Sequence, residues 1–207
     1  MIFWRIQLIF FGVLIILNTS CQDDYQKVGQ IDVFTYDSPI VDILNDTIFL
    51  RDKRKIHIRG INSGGYKHLV LINHVETDTI GLDPGLSTLG LRRADELTRL
   101  WSNTPIRDFY ISHYRRTYLS ILPLSKSIDA EIFRYEPGDQ NLFAELLLRD
   151  EPGTAFIVGH NETLPTLLEF LTQGRRISFD FKDNDYIIIA SILDDVVSSL
   201  HKLKYLP

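Results

Sequence analysis

Three strand-like segments of the sequence lead into side chains that can do chemistry. Apolar runs at 69–72 and 154–159 predict strands buried on both faces, and they are followed by His74 and His160. A third run, 106–112, leads to a double arginine that includes Arg116. A lone histidine at a strand end is usually structural. Because the carboxyl ends of parallel strands share one sheet edge, two histidines and an arginine in these positions predict one pocket.

The elements between these residues alternate between strand and helix signals. Ser87 is suited to cap a first helix, and Asp139 is suited to cap a later one. Helices are predicted at 87–101, 115–125, 142–148 and 163–172, and further strands at 132–135, 186–191 and 196–203. The alternation predicts an α/β fold, a three-layer α/β/α sandwich with a mostly parallel central sheet.

The composition fits one globular domain with an appendage. The chain has 207 residues, of which 44% are hydrophobic and 24% charged. Its formal net charge is -5 and no run is rich in Lys or Arg, so nucleic acid is not an expected partner. The single cysteine excludes an internal disulfide.

The N-terminus has the pattern of an export signal. Arg5 precedes a short apolar run, 6–17, and small residues stand directly before Cys21. The run is short for a membrane span, which needs about 20 residues. The pattern resembles a bacterial lipoprotein signal, in which the cysteine is acylated. Residues 1–20 are therefore interpreted as a signal peptide, and we expect an exported chain that is lipid-anchored in the cell envelope, on the periplasmic or surface side of the outer membrane. The alternatives are an uncleaved anchor helix and a Cys21 that is a buried or free thiol.

The segment 21–65 is interpreted as a tether followed by a small β-rich extension. β-type runs at 31–34, 47–50 and 56–60 are separated by turn residues. The pattern favours an extra hairpin laid against the main domain, which we place at 66–207.

Four motifs, in order along the chain, resemble those of the histidine phosphatase superfamily, the phosphoglycerate-mutase-like group. The sequence NHVET at 73–77 resembles the family's Arg-His-Gly or Arg-His-Ala followed by Glu-Thr. The segment LDPGLSTLGLRRADEL, from Leu82, is similar to the start of the family's first helix. The segments SHYRRTYLS at 112–120 and FIVGH at 156–160 resemble its Ser-x-x-x-Arg-Thr and Val-x-Gly-His motifs. The resemblance covers about residues 66–207.

The resemblance implies a phosphomonoesterase. It makes His74 the nucleophile that becomes a phosphohistidine, Arg116 the phosphate clamp and His160 a donor to the phosphoryl oxygens. Such chemistry needs a neutral imidazole nitrogen and fixed positive donors. It implies a small phosphorylated substrate, no cofactor and no metal. A phosphoglycerate mutase proper is disfavoured because such an enzyme would be cytosolic, whereas this chain has the pattern of an export signal.

One position departs from the family pattern. The arginine before the nucleophile is Asn73 here, which can donate a hydrogen bond in the phosphate pocket but carries no charge. Loss of a charge-assisted phosphate contact costs on the order of 1.5–3 kcal/mol, or roughly ten- to a hundredfold in rate or affinity. We therefore expect reduced activity. The rival hypothesis is an inactive protein that binds an anionic ligand or an envelope partner.

Several roles stay open at this stage. The proton donor to the leaving group could be Glu136 or Asp139, although either could equally be a helix cap. His113 could contact substrate in the phosphate pocket or lie on the surface. The solvated face is favoured for Arg93 on the first helix. Glu162 would bring an unfavourable negative charge to the pocket mouth unless it faces outward.

Overall fold

The computed structural model describes residues 30–175, 177, 179 and 181–205. The predicted signal peptide and Cys21 lie outside the described residues. Within them the chain forms ten strands, β1 (Asp32–Tyr36), β2 (Ile40–Leu44), β3 (Thr47–Leu50), β4 (Lys55–His57), β5 (Lys67–Asn73), β6 (Ile106–Ile111), β7 (Ile132–Arg134), β8 (Gly153–Gly159), β9 (Tyr186–Leu193) and β10 (Val196–Lys204). The helices of this part of the chain are α1 (Thr88–Trp101), α2 (Arg115–Ile128), α3 (Gln140–Arg149) and α4 (Leu164–Leu171). None of these four is long and apolar enough to cross a membrane.

The central sheet is mixed but mostly parallel. Its seven strands run in the order β1-β10-β9-β5-β8-β6-β7. The pairs β5–β8, β6–β8, β6–β7 and β1–β10 are parallel, whereas β9 is antiparallel to both β5 and β10. The predicted α/β class with a mostly parallel sheet is therefore confirmed.

Helices cover both faces of this sheet, and the side-chain alternation of β5 shows how. Val70 and Ile72 belong to a buried cluster that includes apolar residues of α1 and α2. Leu69 and Leu71 belong to a second buried cluster, with apolar residues of α3 and α4. A strand whose two faces are both buried is a continuous apolar run, which explains the pattern seen in the sequence.

The N-terminal extension contributes to two sheets. β2, β3 and β4 form a separate antiparallel sheet, whose buried Ile43 and Ile48 join the cluster that contains α1 and α2. β1 is instead an edge strand of the central sheet, parallel to β10 with Asp32 opposite Ser199. The structure thus places part of the predicted extension inside the main sheet, next to a strand more than 160 residues later in the chain.

Two predicted helix caps have different outcomes. Ser87 caps α1 as predicted, because its Oγ accepts a hydrogen bond from the Gly90 amide at 3.1 Å. Asp139 also stands at the first position before its helix, α3, but its side chain makes no capping hydrogen bond. Its backbone carbonyl accepts the Phe143 amide instead, so the prediction of a side-chain cap at Asp139 was wrong.

Candidate active site

The two histidines meet where β5 and β8 end side by side. Asn73, the last residue of β5, lies opposite Gly159, the last residue of β8, and the next residue in each chain segment is a histidine. The His74 amide donates to the Gly159 carbonyl at 3.1 Å. The His74 and His160 rings lie 5.2 Å apart between centroids, with an interplanar angle of 64°. The structure therefore brings the two sequence-predicted histidines into contact distance.

The local hydrogen bonds of His74 fix its neutral tautomer. Its Nδ1 lies 2.9 Å from the Val75 carbonyl oxygen, and a carbonyl can only accept, so Nδ1 carries the proton. The Val75 amide in turn donates to the Ser120 hydroxyl of α2 at 3.0 Å, which holds the segment after β5 against that helix. Burial, and then the positive charge of Arg116, lower the pKa of His74. Both effects favour the neutral ring, and the tautomer with the proton on Nδ1 has its lone pair on Nε2.

His160 is held by Ser112, for which the sequence predicted no role. The residue is 5% exposed, and its Nε2 lies 2.9 Å from the Oγ of fully buried Ser112 at the end of β6. The Ser112 hydroxyl also lies 3.1 Å from the Thr117 hydroxyl, so it is fixed from α2 as well. Burial, then the charges of His74 and Arg116, lower the pKa of His160 to about 4. Ser112 is the first residue of the SHYRRT segment, so its place in that motif could have pointed to a role in the site.

Arg116 lies in the first turn of α2, beside both histidines. Its guanidinium carbon is 4.1 Å from the centroid of the Tyr114 ring, and that ring meets His160 edge-on at 5.2 Å. Its Nη1 is 3.8 Å from an oxygen of Asp83, which is too long for a hydrogen bond. Asp83 is bound more closely by the backbone amide of Arg115, whose side chain is exposed. The geometry provides one planar cation next to two neutral imidazoles.

The side-chain amide of Asn73 is hydrogen-bonded to the segment before β9. Its Nδ2 donates to the Phe181 carbonyl at 3.2 Å and to the Asn184 side-chain oxygen at 2.8 Å. The Asn184 carbonyl accepts from the buried Tyr205 hydroxyl at 2.8 Å. Asn73 Oδ1 is buried with no hydrogen-bond partner among the described residues. A phosphate contact from the amide of Asn73 would require one of its two present bonds to break.

The expected solvent-facing role of Arg93 was wrong. Arg93 Nε lies 2.7 Å from a carboxylate oxygen of Glu76, and the two side chains are 15% and 25% exposed. Glu76 comes two residues after the nucleophile, so this ion pair ties the His74 loop to α1. The same loop packs tightly on the helix backbone, because a Cβ added to Gly90 would lie 2.0 Å from the Glu76 carbonyl oxygen.

The remaining predicted site residues are exposed. His113 is exposed, with its ring centroid 4.5 Å from that of Tyr114. Glu136 and Asp139 are exposed on the segment between β7 and α3. Glu162 is exposed too, and its negative charge offsets part of the lowering of the pKa of both histidines. Among the described residues, no group of three or more His, Cys, Asp or Glu side chains is placed to hold a metal ion.

Solved structures share this architecture at low sequence identity. A mycobacterial glucosyl-3-phosphoglycerate phosphatase superposes with a TM-score of 0.52 and 14% identity, covering 68% of this chain and 98% of its own. For a candidate α-ribazole-5'-phosphate phosphatase from Escherichia coli, the TM-score is 0.52 and the identity 13%, with 67% of this chain and 96% of the other covered. A mycobacterial protein called hydrolase 1 matches with a TM-score of 0.50 and 15% identity, over 68% and 97% of the two chains. No protein-family model matches the sequence, and no curated protein matches it significantly. The chain therefore has the phosphoglycerate-mutase-like fold of the histidine phosphatases.

Proposed function

We propose that this chain is a phosphomonoesterase that works through a phosphohistidine on His74. The observation that carries the proposal is the orientation of the His74 ring. Its Nδ1–H is used by the Val75 carbonyl at 2.9 Å, which leaves a neutral Nε2 as the nucleophile. The phosphatases that share the fold support this reading.

In the first step, His74 Nε2 attacks the phosphorus of a phosphate monoester. The N–P bond forms as the bond from phosphorus to the alcohol oxygen breaks, and the alcohol oxygen takes up a proton. Arg116 binds the phosphoryl oxygens through its planar set of N–H donors. We propose that the Ser112 hydroxyl donates to His160 Nε2, so that neutral His160 carries its proton on Nδ1 and donates it to the same oxygens. These donors stand ready before the reaction, and this arrangement stabilises developing charge most effectively.

In the second step, water attacks the phosphohistidine. The N–P bond breaks, inorganic phosphate leaves, and His74 returns to its neutral form after the water has lost a proton. A carboxyl group that donates the first proton can accept this one. We assign this role to Glu136, which follows β7 at the same sheet edge, with Asp139 as the alternative; we further propose that His113 contacts the substrate at the rim.

The activity is expected to be reduced. Asn73 stands where an arginine would carry a charge to the phosphate, and its amide is occupied by Phe181 and Asn184. The same observation favours the second candidate function, an inactive protein that binds an anionic ligand or an envelope partner. In that case Arg116 and the histidines would hold the anion without transferring it.

Hydrolysis of a generic aryl phosphate by wild type, His74→Ala and Asn73→Arg separates these functions. A phosphohistidine enzyme shows turnover that His74→Ala removes, and acid-labile phosphate on wild type during the reaction. Turnover equal in wild type and His74→Ala excludes catalysis by this site. Turnover only in Asn73→Arg supports the inactive binding protein, with an otherwise intact pocket.

We also propose that the chain is exported and anchored in the cell envelope by a lipid on Cys21. The support is the sequence pattern alone, a basic start and a short apolar run before the cysteine. The test is incorporation of a labelled fatty acid in cells. Label on wild type and not on Cys21→Ala supports the anchor, whereas label on neither excludes it.

A further inference from the structure

Tyr114 contacts two of the three residues to which the proposed function gives the phosphate. It stands directly before α2, and its side chain is half-buried. The guanidinium carbon of Arg116 lies over the Tyr114 ring, 4.1 Å from its centroid. The His160 ring meets the same ring edge-on, at an interplanar angle of 85° and 5.2 Å between centroids. One aromatic ring is therefore in contact with both the pocket arginine and the histidine beside it.

The backbone that carries this ring is fixed on both sides. The Tyr114 carbonyl accepts a hydrogen bond from the hydroxyl of fully buried Thr117 at 2.8 Å. The next amide, that of Arg115, donates to the two carboxylate oxygens of Asp83 at 3.1 and 2.9 Å. The ring also lies against that of His113, with 4.5 Å between centroids and an interplanar angle of 30°. The Tyr114 ring is thus held in place before any ligand binds.

A tyrosine ring can hold a guanidinium without neutralising it. A cation is attracted to the negative face of the π-system, while the ring itself has no net charge. Arg93 shows the opposite arrangement, because its Nε lies 2.7 Å from a carboxylate oxygen of Glu76 and its charge is balanced there. The contact with Tyr114 therefore leaves the full charge of Arg116 available to a phosphate.

Asp83 is the competing partner for Arg116. Its nearest oxygen is 3.8 Å from Arg116 Nη1, so a small rotation of either side chain would form a hydrogen-bonded ion pair. Such a pair would balance the charge of Arg116 and turn its donors away from the phosphate. Because Asn73 is uncharged and its amide is bonded to Phe181 and Asn184, residue 73 cannot make good that loss.

We propose that Tyr114 is a positioning residue for phosphate binding, whose ring holds the Arg116 guanidinium beside the two histidines and away from Asp83. This inference rests on the proposed function for the location of the phosphate, and it adds a residue that acts through Arg116. The benefit is preorganisation, because the cation stands in place before the phosphate arrives.

The test measures the affinity for inorganic phosphate by calorimetry and kcat/KM for a generic aryl phosphate, with the full chain. Tyr114→Leu keeps an apolar side chain but removes the ring, and both quantities should fall by about 3- to 30-fold, the range of a cation–π contact. Tyr114→Phe keeps the ring and should retain most of both. Tyr114→Met is the second non-aromatic variant if leucine prevents folding. The control Tyr36→Leu removes a ring that lies 5.4 Å from the Arg54 guanidinium carbon, three strands away from β5, and should change neither quantity.

Two further readouts separate a positioning role from a merely structural one. Asp83→Asn in the Tyr114→Leu background should recover phosphate affinity, because asparagine can still accept from the Arg115 amide but does not attract Arg116 as a charge. Burial and then the charge of Arg116 lower the pKa of His74, so that pKa, measured by NMR, should rise when the guanidinium turns away in Tyr114→Leu. No recovery, together with an unchanged His74 titration, would overturn the positioning role.

Loss of the proposed catalysis would not decide the role of Tyr114. If wild type hydrolyses no monoester, the proposed function fails, and the phosphate affinities still test the positioning of Arg116. Weaker phosphate binding by Tyr114→Leu than by wild type and Tyr114→Phe supports it. Equal affinities in the three proteins, including no binding by any of them, or an equal loss in both variants, overturn it.

Discussion

Removal of the Ser112 hydroxyl is expected to damage the site through His160 while leaving the fold in place. Ser112 is fully buried, and its Oγ lies 2.9 Å from His160 Nε2. Ser112→Ala deletes this one partner and adds no bulk. His160 is itself 5% exposed, so water cannot easily replace the lost bond.

The size of the effect follows from an unpaired buried group. A buried polar atom that loses its partner costs about 1–3 kcal/mol. If the imidazole of His160 is then free to turn away from the phosphoryl oxygens, the same free energy is lost from the transition state. The expected fall in kcat/KM is about 5- to 150-fold, at roughly 1.4 kcal/mol per tenfold.

The assay is kcat/KM for a generic phosphate ester, together with the ¹⁵N chemical shifts of the His160 ring, which report its tautomer. The matched control is Ser127→Ala on α2, because the Ser127 hydroxyl donates to the Leu124 carbonyl of the same helix at 2.8 Å. A Ser112→Ala variant that keeps both kcat/KM and the His160 ring shifts within error would refute the positioning role.

Three further changes test the structure independently of activity. Arg93→Met should lower the free energy of unfolding by about 1–3 kcal/mol through loss of a half-buried ion pair, while Met at the exposed neighbour Arg92 should have little effect in the same denaturant titration. Gly90→Ala should lower the free energy of unfolding by about 1–3 kcal/mol, although alanine has the better helix propensity, because the new Cβ meets a backbone oxygen at 2.0 Å. The control is Gly85→Ala, whose new Cβ has its nearest contacts at 3.8 Å. Equal melting temperatures for the two variants would contradict this account. Burial lowers the pKa of His201 from 6.5 to about 4, so the folded chain binds fewer protons there than the unfolded chain, and stability is complete above pH 6.5 and declines as the pH falls toward 4. His201→Phe should remove about 2 kcal/mol of the decline in the free energy of unfolding between pH 8 and about pH 5, measured by urea unfolding at each pH. An unchanged pH dependence in this variant would contradict the assignment of the decline to His201.

The main sheet and the meeting of the histidines were predictable because their signals are local. Apolar runs of the length of β5 and β8 mark strands buried on both faces, and a parallel sheet collects the residues that follow such strands. The capping role of Ser87 was equally local, since its partner amide is only three residues away. Each of these inferences needed a short stretch of chain and a general rule.

The missed features depend on partners far away in the chain. The amide of Asn73 bonds Asn184, 111 residues later, and Ser112 bonds His160, 48 residues later. Arg93 looked like a surface residue because its helix is amphipathic, and only the fold shows that Glu76 lies opposite. A single sequence without its fold does not specify which distant polar groups will pair.

The parallel pairing of β1 with β10 has a mechanical consequence. A pulling force applied between residues 30 and 205 acts on the start of one strand and on the end of its parallel neighbour. Such a load shears the ladder that runs from Asp32 opposite Ser199 to Tyr36 opposite Leu203, so its hydrogen bonds resist together instead of opening one after another. A load carried between these two residues would therefore be borne by this edge of the central sheet.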